Sequence, residues 1–337
     1  MNESVTLAFI GDVMLGRGVN EEIALRSPES FWGNVLPILR GADAVFANLE
    51  CAITEHTQTC RRIPKVFHFR ASPAAINILH TGNIQCVSLA NNHTLDFDDQ
   101  GLLDTLKYLD EVGIYHAGAG QNKSEAVAPV IMNVAGLKVG LIAITDNEPT
   151  FAAMSHRPGT YYMEIRSDPN TLAFIEEGVE QLRSAGVNLV VLSVHWGPNM
   201  VLSPPPWFRN FAHAVVDCGV DVFHGHSAHL FQGVELYNHS LILYDTGDFL
   251  DDYAVDPILR NDWSFVFLVD VNGDGLHRLR MMPVRLHYGQ VELAKGEEFA
   301  NICHRMRSLC AAFHTHALQT PDSLQVMLRH KVLRHPA

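Results

Sequence analysis

Long apolar runs are missing from this chain of 337 residues, and no stretch approaches the ~20 apolar residues that a bilayer-crossing helix needs. A membrane-embedded body is therefore not expected. Basic residues are scarce beside acidic ones, 24 Lys plus Arg against 37 Asp plus Glu, giving a formal charge of −13 with histidine neutral. That balance disfavours nucleic-acid backbones and anionic membranes as general partners, because both demand a cationic face. The six cysteines (Cys51, Cys60, Cys86, Cys218, Cys303, Cys310) include no CxxC pair and have no secretory context, so reduced thiols are expected. A Cys51–Cys60 bridge across a short excursion is the alternative. The opening MNESVTLAFIGD has no basic leader, long apolar core or small-residue cleavage site, which predicts a soluble, cytoplasmic chain. Internal repeats, low-complexity tracts and an evident interdomain linker are absent too.

What is present is an ordinary globular composition, 47% hydrophobic and 18% charged, with an unusual 19 histidines. Those towards the C-terminus (His304, His314, His316, His330, His335) read as solvated or capping residues. Apolar strand-like runs alternate with helical patterns through the first half: VTLAFIGD, then a helix over SFWGNVLPILRGA, then DAVFANLE, PAAINILHTGN, IQCVSLANNH and DDQGLLDTLKYLDEVG. Such alternation with short connections predicts an α/β protein built from parallel βαβ units. The second half adds two hairpins, turning at Ala135-Gly136 and Asn238-His239, so the sheet arrangement is mixed. From about Glu292 the chain reads as helical and amphipathic, with a basic tail.

Five sites place a metal-ligand side chain beside glycine, asparagine or tryptophan at a strand end: GDVMLGR (Gly11 to Arg17), NLE (Asn48 to Glu50), ANNH (Ala90 to His93), VHWG (Val194 to Gly197) and HGHSAH (His224 to His229). Individually each has a plain structural reading. Asp12 can cap a helix, Glu50 can be a surface carboxylate, ANNH can be a turn and His195 can be a satisfied core histidine. Jointly they point to a bound ion, since ligands gather at the carboxyl ends of parallel strands and a borderline divalent ion takes mixed nitrogen and oxygen donors. His226 and His229 flank two small residues and can reach one site from a single turn, with His224 left as a supporting or structural residue.

The series GDVMLGR, NLE, SLANNHTLDF, VHWG and HGHSAHLFQGVELY resembles the capsule-synthesis (CapA) or poly-γ-glutamate synthesis family, itself related to calcineurin-like metallophosphoesterases. This resemblance implies a four-layer α/β/β/α sandwich over residues 1–290, with 291–337 as a C-terminal helical extension. It also implies one or two divalent ions (Mn, Zn, Fe, Mg or Ca), with Asp12, Glu50, Asn92, His195, His226 and His229 as ligands. His93 takes the place of a histidine that acts as general acid or contacts a phosphoryl oxygen. Met14 stands where a standard metallophosphoesterase has a histidine, and Asn48 and Glu50 stand around its bridging aspartate.

Arg17, Asn48, Asn91, Lys65, Arg70, Trp196 and Asp248 are expected to line the substrate pocket. Lys65 and Arg70, in KVFHFR, offer cations for a carboxylate or phosphate, or are ordinary strand charges. In YDTGDFLDDY, Gly247 and Asp248 are expected at the site, with Asp245, Asp251 and Asp252 solvated. The function so implied is a metal-dependent hydrolase acting on an anionic polymer, phosphoester or peptide-like substrate. Two alternatives keep the same site: a peptide epimerase or lyase of ribosomal-peptide tailoring, and a non-catalytic accessory of a polymer-synthesis complex.

Overall fold

The computed structural model describes residues 4–328; His330, His335 and the end of the expected C-terminal extension lie outside the described residues. The strands that carry the fold are β1 (Val5–Val13), β2 (Ala44–Leu49), β3 (Ile84–Ser88), β4 (Tyr115–Ala117), β5 (Val130–Val134), β6 (Leu137–Thr145), β7 (Leu189–His195) and β8 (Val222–His226). They continue as β9 (Val234–Tyr237), β10 (Ser240–Leu243), β11 (Asp248–Leu250), β12 (Trp263–Asn272), β13 (Gly275–His287), β14 (Gln290–Leu293), β15 (Leu318–Gln319) and β16 (Leu324–Met327). The main helices are α1 (Ala75–Thr81), α2 (Asp98–Val112), α3 (Pro169–Ser184), α4 (Pro206–Asp217) and α5 (Gly296–Ala311).

The strands form two large sheets. One runs β15-β16-β13-β12-β1-β2-β3-β4, with β14 beside β13 and β11 beside the far end of β1; the other runs β9-β10-β8-β7-β6-β5. Side chains alternate between faces along a strand, and here both faces of each sheet are covered. In β1, Leu7 and Phe9 pack with Phe46, Leu141 and Val191 between the sheets. Ala8 and Ile10 point the other way, against Leu79 of α1 and Leu102 and Leu109 of α2. On the outside of the second sheet, Val190 and Leu192 meet Ile175 and Val179 of α3 and Phe211 and Val215 of α4. Three apolar layers thus separate four layers of backbone, which is the α/β/β/α sandwich.

Both hairpins turn where expected. Ala135 and Gly136 adopt φ of 49° and 88°, and Asn238 and His239 adopt 46° and 66°, the left-handed pairs that tight antiparallel turns require. The six cysteines are free thiols. Two expectations need correction. The helix over SFWGNVLPILRGA is broken into Pro28–Trp32, a 3-10 turn at Gly33–Val35 and Leu36–Arg40, because Gly33 swings to φ 47° and Pro37 cannot donate a helical hydrogen bond. The C-terminal segment is not helical throughout. After α5, whose Ile302, Cys303 and Met306 are buried in the inter-sheet core, β16 pairs with β13. Among the described residues no helix is long and apolar enough to cross a membrane.

One close approach governs how the centre of the first sheet is built. The amide of Asp12 donates to the Gly247 carbonyl at 3.0 Å, and a Cβ on Gly11 would lie 1.7 Å from that same oxygen. Only glycine permits this packing. Gly11→Ala is expected to destabilise the protein by about 2–4 kcal/mol through overpacking and backbone displacement, measured by chemical denaturation; an unchanged midpoint would contradict this account of the strand pairing.

Candidate metal centre

Strand register alone assembles most of the candidate ligands. Asp12 near the end of β1 lies opposite Asn48 of β2 on one side and Asp248 of β11 on the other. In the facing sheet His195, the last residue of β7, lies opposite His226, the last of β8. Parallel strands put these termini on one edge, so residues far apart in sequence meet where the sheets meet. The turn after β8 then bends sharply, with Ser227 at φ 113° and His229 at φ 57°, and this returns the His229 imidazole to the same place. Gly225 lets β8 pack there: a Cβ would meet the Tyr244 carbonyl oxygen at 2.0 Å.

Two groups of donor atoms result, each within 4.8 Å of one another: Asp12, His195 and His226, and Asp12, Glu50, His229 and Asp248. Asp12 belongs to both. The Nδ1 atoms of His195 and His226 stand 2.9 Å apart and lie 4.0 and 3.7 Å from Asp12 Oδ1. His195 Nε2 turns to Glu50 Oε1 at 3.9 Å, so one imidazole faces both groups. His229 Nδ1 lies 2.8 Å from Asp248 Oδ1. Asp12 Oδ2 and Asp248 Oδ2 are buried without a hydrogen-bond partner, a costly state for a carboxylate oxygen.

The electrostatics agree with a site that wants a cation. Burial, and then the charges of Glu50 and Asp248, raise the Asp12 carboxyl well above its ordinary range. Burial lifts Glu50 to about 7. Burial holds His195 and His226 far below the usual imidazole value, so both are neutral donors. Burial also acts downwards on His229, but the negative charges of Asp248, Glu50 and Asp12 outweigh it and raise this group.

Beside the carboxylates His93 stacks on Phe69 with ring centroids 3.9 Å apart. Its Nδ1 donates to Asp96 Oδ2 at 2.5 Å, and its Nε2 faces Glu50 Oε1 at 3.9 Å. Asp96 is fixed in turn by the Phe69 amide at 2.7 Å and by Lys65 Nζ at 2.5 Å. Burial pushes His93 down to about 4 against the opposing pull of Asp96. Tyr253 donates its hydroxyl to Glu50 Oε2 at 3.2 Å. A cleft of about 550 Å³ opens onto these groups and is lined by Arg17, Lys65, Asn92, His93, His229 and Tyr253, among others.

The expected pocket residues divide. Arg17 lines the cleft with its guanidinium 5.5 Å from the Phe67 ring and 5.9 Å from that of Phe69, and is paired to Asp252 through Nε at 3.4 Å. Lys65 lines it too but is spent on Asp96 and the Asn92 carbonyl. Asn92 presents a buried, unpartnered Oδ1. Asn48 and Asn91 are wholly buried supports: Asn48 donates to Asp12 Oδ1 at 2.8 Å, and Asn91 donates to Asn48 Oδ1 at 3.0 Å. Arg70 and Trp196 are not brought to the cleft. Arg70 reaches the carbonyls of Thr54 and Glu55, while Trp196 stacks on Phe208 at 4.4 Å and donates to the Tyr244 carbonyl, because its position after β7 faces the outer core. Asp245 and Asp251 are buried rather than solvated; Asp245 accepts from the amides of Ala228 and Gly247 and so pins the histidine turn. His224 is structural, donating to the Ile10 carbonyl at 3.0 Å. Asp96 and Tyr253 were not foreseen, although the i, i+3 spacing of His93 and Asp96 is a signal for the first.

Buried carboxylates and imidazoles delivered by the carboxyl ends of two facing sheets define an α/β/β/α sandwich protein with a candidate metal centre at its edge. The family described as bacterial capsule synthesis protein PGA_cap matches residues 6–253, and the chain belongs to it. The capsule biosynthesis protein CapA of Bacillus anthracis is 26% identical over 332 residues, covering 98% of this chain and 79% of that one. A probable polyglutamine synthesis accessory protein of Mycobacterium tuberculosis (strain CDC 1551 / Oshkosh) is 27% identical over 95% of each chain. Among solved structures, a 5'-nucleotidase from Candida albicans SC5314 overlaps with a TM-score of 0.46 at 9% identity, covering 94% of this chain and 59% of that one.

Glu50 provides a test of the electrostatics. Its folded-state value of about 7 exceeds the ordinary 4.5, so its proton stabilises the metal-free fold fully below 4.5, and that contribution is lost as pH rises through 7. Metal-free Glu50→Gln is expected to be more stable than the metal-free native protein at pH 8, by roughly 1–3 kcal/mol, with the gap closing towards pH 5. Thermal unfolding across that range checks it, and a gap independent of pH would contradict it.

Proposed function

We propose that this chain is a metal-dependent hydrolase acting on an anionic polymer, phosphoester or peptide-like substrate. The observation that carries the reading is Asp12, one buried carboxylate shared by two donor groups and left with an unpartnered oxygen. Two neutral imidazoles whose Nδ1 atoms stand 2.9 Å apart also fit the donor set of a borderline ion such as Zn, Mn or Fe better than that of Mg or Ca. In this reading Asp12, His195 and His226 hold one ion, and Asp12, Glu50, His229 and Asp248 a second. Asn92 offers its unpartnered side-chain Oδ1 at the cleft. A bound ion supplies Lewis acidity towards a phosphoryl or carbonyl oxygen of the substrate.

The chain's own residues do the rest. His93 keeps its proton on Nδ1, against Asp96, which leaves the Nε2 lone pair facing Glu50 and the cleft. Held down to about 4, it is neutral near pH 7 and accepts a proton as general base; the acid role implied by family resemblance becomes open to it only after that step. Arg17 presents its guanidinium at the cleft mouth to an anionic group, stiffened by the flanking phenylalanine rings. The names of the relatives, capsule biosynthesis and polyglutamine synthesis, support a polymer as substrate, and the Arg17 guanidinium at the cleft favours an anionic one.

A second reading, a non-catalytic accessory that uses the site for binding, is favoured by the accessory role in the mycobacterial relative's name. The two separate on one set of proteins. Native protein purified without chelator is expected to carry one or two divalent ions per chain, lost in the His226→Ala/His229→Ala double variant. His93→Ala is expected to keep the metal while turnover of a γ-glutamyl or phosphoester substrate falls about 10²–10⁴-fold. Metal without turnover across such substrates supports the accessory reading, and turnover untouched by His93→Ala removes the role given to that histidine.

A further inference from the structure

A second cavity, of about 570 Å³, lies against α3 and the segment from Thr160 to Glu164, and shares no lining residue with the cleft over the metal centre. Its walls are aromatic, with Tyr161, Tyr162 and Phe174. On α3 the apolar stripe Ile175, Val179 and Leu182 is buried against the second sheet, yet Phe174 is turned outward and 56% exposed. Core packing does not explain that position. At the inner side Thr160 is buried, and its Oγ1 has no hydrogen-bond partner.

Charge sharpens the picture. Glu164 is occupied by Arg166 at 2.5 Å, whereas Glu177 has no ion-pair or hydrogen-bond partner among the described residues. Burial, and then the neighbouring Glu177 charge, push the Tyr161 phenol up to about 12, so that ring remains a neutral donor beside an uncompensated carboxylate. Aromatic faces attract cations and repel anions. Lys123 also borders the cavity and provides the competing preference that an experiment must separate.

We propose that this cavity is a binding site for a small organic amine with an apolar or aromatic body, its ammonium held by Glu177 and the ring faces of Tyr161 and Phe174, with Thr160 Oγ1 as acceptor. The site is tied to the metal centre through backbone. The Thr145 amide donates to the Tyr161 carbonyl at 3.1 Å, the Met163 amide donates to the Thr145 carbonyl at 2.8 Å, and Thr145 Oγ1 donates to the His195 carbonyl at 2.9 Å. The cavity thus adjoins the strand end that positions His195.

Isothermal titration of the full chain with phenethylamine, 2-phenylethanol and 3-phenylpropionate tests the assignment. Saturable binding is expected with the amine tightest, weakened about three- to tenfold by Glu177→Gln and by Phe174→Ala. Both substitutions are at exposed positions, and metal content should not change in either variant. No saturable binding of phenethylamine to the native chain, tighter or equal binding of the propionate, or indifference to both substitutions would each overturn the proposal.

Discussion

At the edge where the two sheets face each other, Asp12, Glu50 and Asp248 are buried with His195 and His226, and the half-buried His229 joins them from the cleft side; much of the surrounding structure serves to hold them there. Negative charges packed away from water repel one another and forfeit hydration. The protein answers locally with Asn48 donating to Asp12, Tyr253 to Glu50 and His229 to Asp248. Those partners leave two carboxylate oxygens unmet, and a divalent ion is the simplest group able to meet both. The same demand accounts for the glycines at 11 and 225, whose backbones must approach a neighbouring strand too closely for any side chain.

Function in this reading follows from a division between the sheets. The first contributes mainly carboxylates, with Asn48 as support, and the second contributes imidazoles. Asp12 from one and His195 from the other both face the two donor groups, so the geometry depends on how the sheets pack rather than on any single loop. The inter-sheet layer of Leu7, Phe9, Phe46, Leu141 and Val191 sets that packing. Close-packed cores of this kind resist displacement, which lets a site built across two elements keep its distances. His93, Asp96 and Lys65 form a separate unit beside it, stacked under Phe69 and linked to the centre through Glu50.

Much of this was legible before folding because strand ends advertise themselves. An apolar run that stops at a carboxylate, asparagine or histidine beside glycine marks Asp12, His195 and the His226–His229 turn, and parallel βαβ alternation says that such ends share an edge. Motif resemblance added the four-layer order, which alternation alone leaves open. The misreadings share one physical cause: sequence shows which residues are polar but not which way a loop turns them. Arg70 and Trp196 sit beside site residues and face elsewhere. Asp245 and Asp251 looked like solvated members of an acidic cluster, yet they are buried acceptors of backbone amides. Tyr253 closes that same cluster, and only the fold turns its hydroxyl onto Glu50.

Because Asp12 alone belongs to both donor groups, the most direct measurement is the number of divalent ions bound per chain by Asp12→Asn beside the native protein, read by elemental analysis after equilibration with excess manganese or zinc and gel filtration. The account predicts that this substitution, which keeps size and hydrogen bonding but removes the charge, loses every ion the native chain holds. Native stoichiometry in Asp12→Asn, or a native chain that takes up no ion at all, would contradict it.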